Sequence, residues 1–545
     1  MRPLAFFPNC SIASEVHPMK TRALKTLLAT TGLSTLMLGA VANAEPVTLE
    51  TLDKSVSIAG DLLEFDGQTY VVRTAIGTVS IATDFVTCGG PGCPDAEPDD
   101  SQFSIAGSRS LTDELIPALV NGYGQSVGAD LMKEIRNGND TTYEVSTDER
   151  GTAEISIAPS NTRDGLQALL QNNATFALAT RPARNREVEA FAENNLGDLR
   201  SPGQEHIVAL DGLVLVTHPE NPVRAVSEIN AALAFGGQIS NWSELGGRNG
   251  PINLYVREAD SGTREVFDAL LMRPNGLTVN GNITILESDA EITEAVKNDP
   301  NGFGFTSFAK ADDAAALAIE GVCGLRTPPT SFTIKTEEYP LTRLLYMYNT
   351  DDQLPFHARD FLDYISTEDG QQLVANAGFI DQSVSSETIN SQGIRVASAI
   401  VNNETPEELI SMRNMFELLL AADRLSTTFR FETGSARLDS RAEADVERLA
   451  ELLSSPRFAN KEVLFVGFTD SVGRADLNEL LSQQRAELVR RSVLAANPDL
   501  NTSTQTRAIG FGEVSPLGCN ETDTGRRINR RVEVWVQDVV AGDRT

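Results

Sequence analysis

At 545 residues the chain is too long for one hydrophobic core, and its length points to about three or four domains. The formal net charge of −31 argues against a nucleic-acid partner and requires any anion site to be a local positive pocket set against the global field. Only four histidines are present, His17, His206, His218 and His357, scattered without metal-ligand spacing, which speaks against metal-dependent hydrolysis.

The first readable element is a leader. From Met19, "MKTRALKTLLATTGLSTLMLGAVANA" places Lys20, Arg22 and Lys25 before an apolar run that ends in Ala42-Asn43-Ala44. This is the layout of a cleaved export signal over 19–44, with residues 1–18 as an over-extended start. No Cys stands where a lipoprotein leader requires one, so the expectation is an exported chain without a lipid anchor. Cys10 leaves with the leader. In an oxidising compartment "TCGGPGCP" reads as a small loop closed by a Cys88–Cys93 disulfide, with a zinc site as the alternative. Cys323 and Cys519 lie too far apart in sequence for their pairing to be read.

Strand-like alternation from Val47 to about Val86, with turns at Asp66-Gly67 and Ile76-Gly77, predicts a small β module over 45–97. The acidic "DAEPDD", Asp95–Asp100, reads as a linker. From there to about Asp381, strand and helix patterns alternate in α/β fashion. "SIAG" followed by "SLTDELIPALVNGY" is strand, turn and helix. "ATFALATRP" is a strand ending in a turn, "EHIVALDGLVLVTHP" a long buried strand, and "FGFTSF" another short one.

Within this region "YVREADSGTREVF" places Arg257 four residues before Ser261-Gly262-Thr263 at an apparent helix start. Exposed N–H groups, hydroxyls and a guanidinium fork suit a bound oxyanion. The competing reading is a plain Ser261 cap with Arg257 paired to Glu258 or Asp260. After "GFIDQSV" the polar "SSETINSQG" reads as a hinge, and the helix "TPEELISMRNMFELLLAADRL" completes a linker-and-helix segment over 384–420. A β-α-β-α-β pattern then fills 421–538.

Taken in order, "IVALDGLVLVTHPENPV", "FGGQISNWSELGG", "YVREADSGTREVF" and "LTRLLYMYNTDDQLPFHARDFLDYISTEDGQQLVANAGFI" resemble the PstS-like phosphate-binding proteins of ABC transporters, over 101–383. The resemblance implies the two-lobed α/β periplasmic binding protein fold of type II, closing on inorganic phosphate or a related oxyanion. It assigns phosphate contacts to Arg257, Ser261, Gly262 and Thr263 of one lobe, and to Ser108 and Ser110 of the other, with Arg109 between them as a further cation. Some members carry an Asp that accepts the proton of hydrogen phosphate; here Thr180 stands in its place, beside Arg181. A further serine loop is expected near "STDERGTAE", at Ser146, Thr147 or Thr152. A permease is the further partner implied.

"FETGSARLD", "GFTDSVGRADLNELLSQQRAELVRRSV", "GFGEVSP" and "NETDTGRRINRRVEVWV" resemble the α+β OmpA-like peptidoglycan-binding domain. That resemblance implies that Asp470 and Arg485 grip the diaminopimelate of the wall peptide, supported by Asn478 and Arg530. A zwitterion at the end of that side chain calls for one acceptor and one forked donor. Phe468 stands where the family often has His, a change expected to alter packing rather than the grip. The expected protein is a non-enzymatic, cofactor-free phosphate binder in the periplasm, associated with peptidoglycan, with the inner face of the outer membrane as one location. The alternatives are a wall-binding envelope protein whose binding domain has lost or changed its ligand, and a phosphatase.

Overall fold

The computed structural model describes residues 46–539 except 52–55, 66–68, 75–76, 83–84, 91, 94–99, 148–149, 260, 312–313, 351–353, 394–396, 398–399, 401–404, 436–437 and 439. The leader, the Asp66-Gly67 turn, Ile76 and most of the acidic linker lie outside the described residues. Among the described residues no helix is long and apolar enough to cross a membrane. The chain divides into two compact units, 1–95 and 96–545.

The first unit is an antiparallel sheet in the order Gly77–Ala82, Thr69–Thr74, Ser57–Phe65, Pro46–Thr51, Val86–Gly89. Val47, Leu49, Val72 and Val86 are buried at its centre. The Cys88–Cys93 disulfide, with Cα atoms 5.8 Å apart, closes the loop after the last strand. So small a core buries little apolar surface, and the covalent closure adds to its stability.

The second unit opens with the strand Ser101–Ser108, which lies parallel to Gly151–Ser160 and Phe176–Ala179. Two antiparallel strands, Leu131–Asn137 and Asp140–Thr147, extend this sheet outwards. The alternation of strand and helix expected here is therefore interrupted. These strands carry one buried face at most, and their mixed composition gave no helical or buried-strand signal.

One strand spans both lobes. Glu205–Thr217, an almost unbroken apolar run, is buried along most of its length, as a strand covered on both faces requires. Its first part, Glu205–Gly212, pairs antiparallel with Thr342–Tyr348 in the first lobe. Its second part, Leu213–Thr217, pairs with Phe303–Ser307 in the second lobe. There Asn253–Arg257 runs parallel to Gly302–Ser307 and to Ile283–Leu286. Each lobe has its own apolar core, one around Tyr123, Phe176 and Phe361, the other around Phe235, Phe267 and Phe303. At the crossover Asp211 and Arg343 are direct cross-strand partners and form a buried ion pair, with Arg343 Nε 2.9 Å from Asp211 Oδ2.

The last domain is a five-stranded sheet in the order Ser386–Thr388, Asp423–Arg430, Arg531–Asp538, Lys461–Phe468, Gln505–Gly510. Helices Ser440–Leu453 and Ala475–Ala496 cover one face. Helix Pro406–Leu419 covers the other, packing Met412, Met415 and Leu419 on Leu464, Val466 and Trp535. The sequence pattern left out two strands. Gln505–Gly510 is an edge strand with little buried apolar surface. Ser386–Thr388 falls in the stretch expected to be a polar hinge, and it instead pairs with Asp423–Leu425, followed by the buried Ile389. Main-chain hydrogen bonds to a neighbouring strand, rather than side-chain hydrophobicity, order that stretch.

The second lobe is fastened to the last domain as well. Cys323 and Cys519 form a disulfide. Arg424, buried in the last domain, is ion-paired at 2.5 Å to Glu338 of the second lobe and also approaches Glu533 at 3.4 Å. Arg430 donates to the carbonyl of Thr336, and Arg527 reaches Glu337 at 3.3 Å.

Candidate functional site

A cleft of about 360 Å³ opens between the lobes. Ser108 and Ser110 reach it from the first lobe, their hydroxyl oxygens 3.0 Å apart. The preceding Gly107 has φ +137, and a Cβ there would fall 2.3 Å from the carbonyl oxygen of Leu178. Only glycine permits the strand to turn its serines into the cleft at that point. Arg109 also lines the opening.

From the second lobe come Arg257, at the end of its strand, and Ser261, Gly262 and Thr263 at the start of helix Gly262–Phe267. Ser261 caps this helix, its hydroxyl accepting from Arg264 N at 3.3 Å. Gly262 is where the lobes meet: a Cβ there would lie 3.2 Å from Thr180 Oγ1 and 3.4 Å from Ser108 Oγ. Thr180 is fully buried beneath the turn, and its amide donates to Thr162 Oγ1 at 3.1 Å.

Arg257 does not pair with Glu258, and Asp260 lies outside the described residues. Its ion-pair partner is Asp289. The Asp289 carboxylate also accepts from Thr263 Oγ1 at 3.2 Å and from Ser307 N at 3.1 Å. Sequence reasoning missed Asp289 because "SDAEITEAV" reads as an ordinary capped helix start. It also missed Arg343, which lines the cleft from the crossover. A lone arginine inside the apolar "LTRLLYMY" was the available signal, since a charge in a buried strand demands a partner. Arg257 Nε and Arg343 Nη1 are buried without a hydrogen-bond partner among the described residues. Unpaired guanidinium N–H groups at a cleft wall are costly unless an acceptor meets them.

The expected serine loop at Ser146, Thr147 and Thr152 is not at the cleft. Ser146 Oγ and Thr152 Oγ1 bond each other at 3.0 Å across a hairpin, and Thr147 Oγ1 accepts from Arg150 N at 2.8 Å. Ser160 and Asn161, at the end of the next strand, line the cleft instead. Acidic groups share its walls, among them Asp113, Glu114 and Glu287. Burial pushes the Asp113 carboxyl above the usual range, against the pull of Arg109 and Thr112.

In the last domain the four expected residues are gathered and nearly buried. Asp470 Oδ2 accepts from Arg530 Nη1 at 2.8 Å, and Asn478 Nδ2 donates to the Asp470 carbonyl at 3.3 Å. Arg485 donates through Nε to Ser435 O at 3.0 Å and through Nη2 to Glu432 O at 3.2 Å, over the ring of Phe431. Its Nη1 is buried without a hydrogen-bond partner among the described residues. Burial, then the neighbouring Arg530, push the Arg485 guanidinium down to about 10. Phe468 is a core residue, its ring 4.2 Å from the Arg531 guanidinium.

These two sites sit on the two-lobed fold of a periplasmic binding protein and on an OmpA-like α+β domain. Residues 130–369 match the PBP superfamily domain, and residues 430–530 match the OmpA family. The chain is 24% identical over 221 residues to the phosphate-binding protein PstS of Borreliella burgdorferi, covering 40% of this chain and 75% of that one. It is 30% identical over 195 residues to PstS of Bacillus subtilis, covering 35% and 62%. Among solved structures, an ABC-type phosphate transport receptor from Vibrio cholerae aligns at 23% identity and a TM-score of 0.40, over 51% of this chain and 99% of that one. The peptidoglycan-associated lipoprotein from Burkholderia pseudomallei aligns at 25% and 0.18, over 20% and 89%. The chain thus joins a region that matches the PBP superfamily domain and is similar to PstS proteins to a region that matches the OmpA family.

Proposed function

We propose that the protein captures phosphate, or a closely related oxyanion, in the interlobe cleft and is held noncovalently to peptidoglycan by its C-terminal domain. One observation carries the first half. Hydroxyl donors of one lobe, Ser108 and Ser110, line the same cleft as Arg257 and the Ser261–Thr263 turn of the other. A dehydrated oxyanion needs donors on all sides and partial charge compensation, and binding between lobes couples its capture to their closure. Thr180 supports the turn from beneath. The second half rests on the gathering of Asp470, Asn478, Arg485 and Arg530, where Asp470 supplies a carboxylate and Arg485 Nη1 is left without a hydrogen-bond partner among the described residues. This reading places the protein in the periplasm, serving phosphate capture or uptake by binding rather than catalysis, with a permease as the recipient.

The Asp289 carboxylate favours a second reading, in which the cleft has changed its ligand, because it already engages Arg257 and Thr263. Calorimetric titration of the mature protein with phosphate, sulfate and arsenate separates the two. Saturable phosphate binding supports the first, and heat from none of the three supports the second.

A further inference from the structure

The anion-binding turn and an interlobe ionic contact share one short helix. Glu265 follows Thr263 by two residues on helix Gly262–Phe267 of the second lobe. Its Oε1 accepts from Arg181 Nε at 3.2 Å and from Arg184 Nη2, and both arginines follow the strand Phe176–Ala179 of the first lobe. Arg181 is held ready for this contact. Glu187 grips it with two parallel hydrogen bonds of 2.8 and 2.9 Å, and Arg181 Nη1 also donates to the carbonyl of Pro182 at 3.0 Å. The same segment begins at Thr180, which touches the helix at Gly262.

We propose that Glu265 with Arg181 and Arg184 is a closure latch, which breaks when the cleft opens and re-forms as the Ser261–Thr263 turn swings onto its ligand. With the crossover strand Glu205–Thr217 as the hinge, a rotation that withdraws the turn also withdraws Glu265 from both arginines. Another interlobe pair, Lys310 with Glu114 at 2.7 Å, has side chains 31% and 47% exposed, against 12% for Arg181, 34% for Arg184 and 24% for Glu265. Solvent screens the exposed pair more strongly, so the Glu265 cluster dominates. Glu265 and its partners are positioning residues that act on the equilibrium between open and closed lobes.

The latch itself is tested without ligand, on the full mature chain, by measuring the separation of spin labels at the exposed Gln125 of the first lobe and Asn298 of the second. Glu265→Gln, nearly isosteric, shifts the distribution to longer separations than wild type, and Arg184→Gln does the same. Raising the ionic strength moves wild type in that direction and moves Glu265→Gln less, because the Lys310–Glu114 pair is still left to screen, a difference that a merely structural side chain would not give. Identical distributions for wild type and both variants overturn the proposal. Because the latch serves the phosphate reading, stopped-flow release of inorganic phosphate is the second arm. Dissociation from Glu265→Gln is roughly tenfold faster, equal to about 1.4 kcal/mol of lost closed-state preference. An unchanged release rate, with phosphate bound by both proteins, also overturns it. A wild type that binds no phosphate refutes the proposed ligand, and the label distances still decide the latch.

Discussion

Cys323 of the second lobe and Cys519 of the OmpA-family domain, 196 residues apart in sequence, are joined by a disulfide. Gly321 makes room for it, since a Cβ there would lie 2.3 Å from Cys519 Sγ. With the buried Arg424–Glu338 pair, this bond fastens the OmpA-family domain to the second lobe.

Alkylation of the unreduced, leaderless protein followed by intact mass is expected to modify no cysteine, because the four that remain are paired. Cys323→Ser is expected to lower stability by about 2–5 kcal/mol, the range for native disulfides that close long loops. Chemical denaturation of the variant beside wild type measures the loss.

Arg257→Ala and Ser261→Ala should each weaken phosphate binding by roughly 1–3 kcal/mol, since an oxygen of the ligand loses its donor. Arg257→Lys should restore only part, because an ammonium cannot serve Asp289 and the ligand with one planar fork. Asp289→Asn should weaken binding through a misplaced Arg257, and titration calorimetry on the four variants checks the order.

Asp211 and Arg343 are 0% and 3% exposed at their side chains. Arg343→Met should therefore cost about 3–5 kcal/mol of stability by stranding the Asp211 charge. Asp211→Asn/Arg343→Met together should recover much of this loss, which a double-mutant cycle on denaturation midpoints would reveal.

Burial pushes the Asp381 carboxyl up, but hydrogen bonds from Ser383 and Lys335 more than offset this and leave it below the usual aspartate range. Lys335 Nζ lies 2.9 Å from it. A depressed folded-state value means that the contribution to stability is complete above the unfolded aspartate range, about pH 4, and is lost as pH falls through the lower folded value. Lys335→Met should flatten that part of the acid-stability curve, measured by urea titration between about pH 2 and 5.

Asp470→Ala and Arg485→Ala should each release the protein from diaminopimelate-type peptidoglycan in a sedimentation assay, with phosphate affinity unchanged. Arg485 stays cationic up to about 10, so retention by wild type should hold across neutral pH.

The sequence by itself determined the class of each domain and the residues that carry its motif. Arg257, Ser261, Gly262 and Thr263 were legible because a strand end, a helix cap and a charge fall at fixed local spacing. Asp470, Asn478 and Arg485 were marked by the resemblance of one turn and one helix to the OmpA-like domain, and the Cys88–Cys93 loop was legible within six residues. Only the tertiary structure decided the contacts made between distant segments. It paired Arg257 with Asp289 rather than a neighbour, brought Arg343 to the cleft wall, put Ser160 rather than Ser146, Thr147 or Thr152 at the cleft, and joined Cys323 to Cys519. It also ordered the expected hinge at Ser386–Thr388 by strand pairing. Local spacing encodes caps, turns and periodicity, which the chain reads out within a few residues, whereas a partner across the fold is chosen by packing and charge burial, so the sequence around a residue such as Arg343 can signal that a partner is needed but not which one.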